Sequence, residues 1–193
     1  KAAFKQSLNK ARFISQLFVW FLIFGVCLFA ISFLHPNFRL SYLPEVIVKN
    51  NEAYTRLSSP DNLILFKNLE PDFFSMARHS PQALLSGIFR PGIWEASSVL
   101  KFLSAMENLF LAILIALTLM RRKAISRQNR LLTFAVLIYI VLLCVLLTLA
   151  TPNLGTLVRY RVGFIPFLVY LLLHGSNITK SLERLFVRLV RHK

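Results

Sequence analysis

From Leu131 to Ala150 the chain reads LLTFAVLIYIVLLCVLLTLA, with no charged residue. At about 1.5 Å of rise per residue a helix of this length matches a hydrocarbon layer roughly 30 Å thick. The run is apolar all round, as a helix facing lipid must be. Thr151-Pro152-Asn153-Leu154-Gly155 closes it with proline, asparagine and glycine, which do not extend a helix. This stretch decides the class: an all-α integral membrane protein.

Three more runs flank it. Residues 13–34 carry no charge and include Leu17-Phe18-Val19-Trp20-Phe21-Leu22-Ile23-Phe24, a first span ended by His35-Pro36. Residues 102–120 form a second span, apolar except for Glu107 and Asn108 near its start, and stop at Arg121-Arg122-Lys123. Residues 162–175 form a fourth crossing or a re-entrant hairpin, because the run is short, contains Pro166 and follows Arg159 and Arg161. About four transmembrane helices are expected.

Residues 35–101 differ in kind. Pro36, Pro44, Pro60, Pro71, Pro81 and Pro91 cut them into pieces too short and too polar to insert, so they read as one long extracytoplasmic loop. Two short helices are expected within it, Tyr42 to Leu57 and Asp72 to Phe89. The second would set Phe73, Ala77, Leu84 and Ile88 on one face, lying on the bilayer or on a partner.

The composition agrees. Of 193 residues 56% are hydrophobic, 18 are phenylalanine, mean hydropathy is +0.60 and the formal net charge is +15. Such a charge need not mean nucleic acid; its placement gives orientation instead. Basic residues crowd residues 1–12, 121–130 and the tail 176–193, where Glu183 is the lone acid. The acids Glu45, Glu52, Asp61, Glu70, Asp72 and Glu95 all lie in the long loop. The positive-inside rule puts both ends and the 121–130 loop in the cytoplasm, and the 35–101 loop and the 151–161 turn outside. The tail from Thr179 reads as a basic amphipathic helix on the anionic inner leaflet. Cys27 and Cys144 lie inside apolar runs and read as small buried hydrophobes. The first run has no small-residue cleavage pattern after it and is not read as a signal peptide; the chain can be the back part of something longer.

Two stretches on the outer side draw attention. In Phe89-Arg90-Pro91-Gly92-Ile93-Trp94-Glu95 a turn carries an amphipathic ring and a pairable Arg90 and Glu95. Trp94 and Trp20 are taken as interface anchors. In Asn153 to Arg161, the arginines Arg159 and Arg161 would diverge on a helix but point together along an extended path, where two guanidinium forks could hold a diphosphate, with Arg90 as a third phosphate-binding candidate. Phospholipid headgroup contact is the plainer reading of the pair. Glu107, costly near hydrocarbon, should pair with Arg159 or Arg161. Glu95, Glu107 and His79 are weak candidates for acid-base chemistry. No spacing of His or Cys suggests a metal, no nucleotide loop or nucleophile elbow is present, and no cofactor is expected.

With Arg90, Pro91, Trp94, Glu95, Glu107, Asn153, Gly155, Thr156, Arg159 and Arg161, and Pro81-x-Ala83-Leu84 before them, the chain resembles the C-terminal part of multi-pass bacterial membrane proteins of surface-polysaccharide assembly clusters. Their Arg-Pro-x-x-Trp-Glu and Asn-x-Gly-Thr-Leu-x-Arg-Tyr-Arg turns each precede a span; Gly92-Ile93 departs from their usual pattern. The resemblance covers about residues 45 to 175 and implies the bacterial inner membrane and polysaccharide biosynthesis. Two functions follow as expectations. One is a non-catalytic accessory subunit, whose partners are membrane lipids and a protein in the membrane. The other is an enzyme-like component handling a polyprenyl-pyrophosphate-linked glycan. A transporter is disfavoured by the near absence of polar residues in the spans.

Overall fold

A computed structural model describes residues 2–31, 33, 39–120 and 130–174. The basic 121–129 loop and the tail from residue 175 onward, including the expected amphipathic helix, lie outside the described residues. Among those described, the fold is helical throughout: α1 Ala2–Ile31, α2 Leu43–Leu57, α3 Phe73–Phe89, α4 Val99–Met120, α5 Arg130–Ala150, α6 Leu154–Tyr160 and α7 Ile165–His174. The two loop helices begin and end within a residue of where their sequence placed them.

Two helices, α4 and α5, are long and apolar enough to cross a membrane. The segments Leu154–Gly163 and Ile165–Leu173 are bent by 56° at the break between them and make a third crossing if they count as one. The break has a local cause. After a short 3-10 turn at Arg161–Gly163, Phe164 leaves the helical region with φ −131°, and Pro166 follows in the first turn of α7. The N-terminal helix α1 is 30 residues long, and among the described residues Ile14–Cys27 is its apolar stretch, shorter than a full crossing.

The packing gives α3 a place within the chain. Ala83, fully buried, and Met76 meet Leu149 near the end of α5, whereas Leu84 and Ile88, later in α3, meet the cluster around Ile140 and Cys144. The two helices therefore run antiparallel, with α3 lying along the C-terminal half of α5. Their close approach requires Gly87, where a Cβ would stand 2.4 Å from Thr148 Oγ1 and 2.5 Å from Cys144 Sγ. Burial also shifts the expected face: Ser75, Met76, Ala83, Ser86 and Gly87 are buried, while Phe73 and Ala77 are exposed.

Residues 51–64 are held to the end of α5 and the turn after it by polar contacts as well. Asn51 Nδ2 donates to Leu149 O at 2.6 Å. Ile64 N donates to Pro152 O at 2.7 Å, beside a bridge between Leu63 and Asn153. Three small cores result, centred on Phe164 with Cys144, on Ile47 with Leu149, and on Ile64 with Leu157.

Candidate functional site

Both motifs singled out in the sequence are turns built for helix entry. Asn153 precedes α6 in extended conformation, and its Oδ1 accepts from Thr156 N at 3.0 Å, an N-cap on the first turn. Its Nδ2 donates to Ser58 Oγ at 2.6 Å, fastening the cap to the loop that follows α2. Because this cap starts a helix, the extended path that would align Arg159 with Arg161 is not taken. Arg159 is exposed and Arg161 is 6% exposed. The expected two-arginine clamp is thus corrected: two residues along a helix, side chains lie about 200° apart.

The other turn closes on itself. Arg90 Nε donates to Glu95 Oε1 at 2.8 Å, and Arg90 Nη2 makes a second contact with the same oxygen. Glu95 Oε2 accepts from Gly92 N at 2.7 Å. Burial pushes the Glu95 carboxyl up, but the Arg90 hydrogen bond and charge, with the Gly92 N–H, outweigh it and hold the group below its ordinary value. The Arg90–Pro91 peptide is cis and Pro91 is fully buried.

Arg161 joins the two motifs. Its Nη1 donates to Asn108 Oδ1 at 2.6 Å and its Nη2 to the Arg90 carbonyl. Asn108, also 6% exposed, donates from Nδ2 to Pro91 O at 2.8 Å. One guanidinium and one amide thus cover both carbonyls of the Arg90–Pro91 turn. Arg161 Nε is buried without an acceptor among the described residues. Carbonyls and a neutral amide spread a guanidinium's charge without cancelling it, so the site has a cation at its centre and a closed ion pair at its rim.

The remaining candidates fall elsewhere. Glu107 is exposed on α4 and forms no ion pair with Arg159 or Arg161 among the described residues; it acts on Arg161 only as a charge at a distance. Geometry explains this, since Asn108, the next residue, takes the inward face. His79 is half-buried on α3, not in a solvated loop, with Nδ1 3.2 Å from Ser75 O and Nε2 2.9 Å from Lys67 O. Trp94 is 88% exposed beside the turn, and Trp20 stacks on Phe24 within the apolar stretch of α1. Among the described residues no group of three or more His, Cys, Asp or Glu is placed to hold a metal. Asn108 is the residue sequence reasoning missed. Its signal was an amide inside an apolar run, which demands a partner once buried. Comparison with known families, with curated proteins and with solved structures finds no match.

Proposed function

We propose that the chain is a non-catalytic accessory subunit of a bacterial inner-membrane assembly, with surface polysaccharide as the process it serves. The observation that carries this reading is the direction in which the site's polar groups point. Arg161 and Asn108 spend their hydrogen bonds on the backbone of the Arg90–Pro91 turn, and Arg90 spends its own on Glu95. A general acid or base needs a proton-bearing group in reach of a substrate. Glu95, with one oxygen on Arg90 and the other on Gly92 N, is instead a brace.

Two features support a role inside a larger complex. Only 22% and 17% of the apolar windows of α4 and α5 are buried within the chain, so broad apolar faces remain for lipid and for a neighbouring membrane protein. Four crossings fit the charge pattern: α1 is helical to Ile31 and its uncharged run continues to Leu34, and the bent α6–α7 pair, counted as one span, would be the last. Both ends then lie in the cytoplasm under the positive-inside rule.

The second reading, an enzyme handling a polyprenyl-pyrophosphate-linked glycan, keeps the exposed Arg159 as its cation. The two separate by substitution in the native host. Arg159→Gln, Glu107→Gln and His79→Gln should leave glycan assembly and the stoichiometry of the mild-detergent complex intact. Loss of glycan product from any one of them, with protein level and complex unchanged, would favour the enzyme.

A further inference from the structure

A second polar feature lies apart from this network, between residues 65–68 and α3. Its walls are fixed at several points. Ile64, 1% exposed, anchors the incoming segment on Pro152. Gln82 Nε2 then donates to Leu65 O at 2.9 Å, and His79 Nε2 stands 2.9 Å from Lys67 O. Asn68 takes the left-handed conformation, φ 58°, which asparagine tolerates better than most residues and which reverses the chain. Beyond the turn, Glu70 N donates to Ser75 Oγ at 2.9 Å and Asp72 caps α3 through Ser75 N at 2.8 Å.

The result is an open cavity of about 330 Å³ lined by Leu65, Lys67, Asn68, Arg78, His79 and Gln82. That volume is at the lower end of the range of small-molecule sites. No carboxylate lines it. Among the described residues neither the Lys67 ammonium nor the Arg78 guanidinium has an ion-pair partner, although exposed lysine and arginine on α2 find theirs in Glu45 and Glu52. Two unneutralised cations therefore face one concavity whose backbone is already fixed.

We propose that this cavity binds a phosphate group. Arg78 offers a planar fork that matches two phosphate oxygens, Lys67 a compact charge, and the Asn68 amide a further donor. Leu65, 62% exposed, gives the rim an apolar surface for whatever carries the phosphate. The phosphate can belong to a soluble compound or to a lipid headgroup; the recognising chemistry is the same.

The test uses the full chain in mild detergent and the double variant K67Q/R78Q, with the more severe R78E beside it. Both substituted side chains are exposed, so the thermal midpoint should not move. Inorganic phosphate and pyrophosphate are titrated by calorimetry, and phosphatidylglycerol carried through purification is counted by native mass spectrometry. Weakening of pyrophosphate binding by about tenfold or more in the double variant supports the site with a soluble ligand. Loss of bound phosphatidylglycerol, without measurable pyrophosphate binding to begin with, supports it with a lipid headgroup. Phosphate, pyrophosphate and lipid retention all unchanged by both variants would overturn it, as would their absence from the unaltered chain.

Discussion

The Arg161 guanidinium donates to Asn108 Oδ1 at 2.6 Å across 53 positions of sequence, and both side chains are buried. This contact ties α4 to the segment that leads into α7. Through the Arg90 and Pro91 carbonyls it also ties both to the end of α3.

Asn108 has to act through both ends of its amide, as acceptor for Arg161 and donor to Pro91. Asn108→Leu should lower stability by about 2–3 kcal/mol, since it leaves Arg161 and the Pro91 carbonyl each short of a partner. Asn108→Asp should be milder, because it keeps an acceptor and adds a counter-charge. Thermal midpoints in detergent check the order.

The Glu95 brace predicts a pH dependence of definite sign. Its folded carboxyl lies below the ordinary value, so the stability it adds is full above the unfolded carboxylate range. That stability fades as pH falls through the range and is gone below the folded value. Melting curves from pH 7 to pH 3 should show this loss, and Glu95→Gln should flatten it while lowering stability at pH 7 by about 1–2 kcal/mol.

Gly87 is the point of closest approach between α3 and α5. Gly87→Ala should cost about 1–3 kcal/mol by overpacking. Adding Thr148→Ala removes the atom at 2.4 Å and should recover part of that loss, a positive coupling in a double-mutant cycle.

At Asn153, replacement by Ala should cost about 1–2 kcal/mol through the lost cap on α6. The Ser58 contact adds a local signature: hydrogen exchange should rise both at Thr156 and around Ser58, parts of the chain joined by this side chain. A rise at Thr156 alone would argue against the link.

Local features were readable from sequence and long-range ones were not. The uncharged run ending at Ala150, the prolines that bound α2 and α3, and the pairing of Arg90 with Glu95 are all effects of neighbouring residues. The Asn153 cap was readable too, as Asn three residues before Thr156, yet reading that stretch as extended set Arg159 beside Arg161. Which of Glu107 and Asn108 turns inward depends on the rotation of α4 against a turn that begins 17 residues earlier. The lie of α3 along α5 hinges on Gly87, whose importance comes only from Thr148 and Cys144.

Arg161 and Arg159 provide the most direct test of the central claim, that the polar groups of this turn are spent inward on holding the fold. In detergent-purified protein, Arg161→Gln should lose about 2–3 kcal/mol of stability, since the Asn108 oxygen and the Arg90 carbonyl are left buried and short of a donor. Arg159→Gln, on an exposed side chain, should change it by no more than about 0.5 kcal/mol. Thermal midpoints that fall for Arg161→Gln alone are the predicted result. An Arg161→Gln chain that melts with the unaltered protein would contradict the account and return that guanidinium to the role of a ligand-binding group.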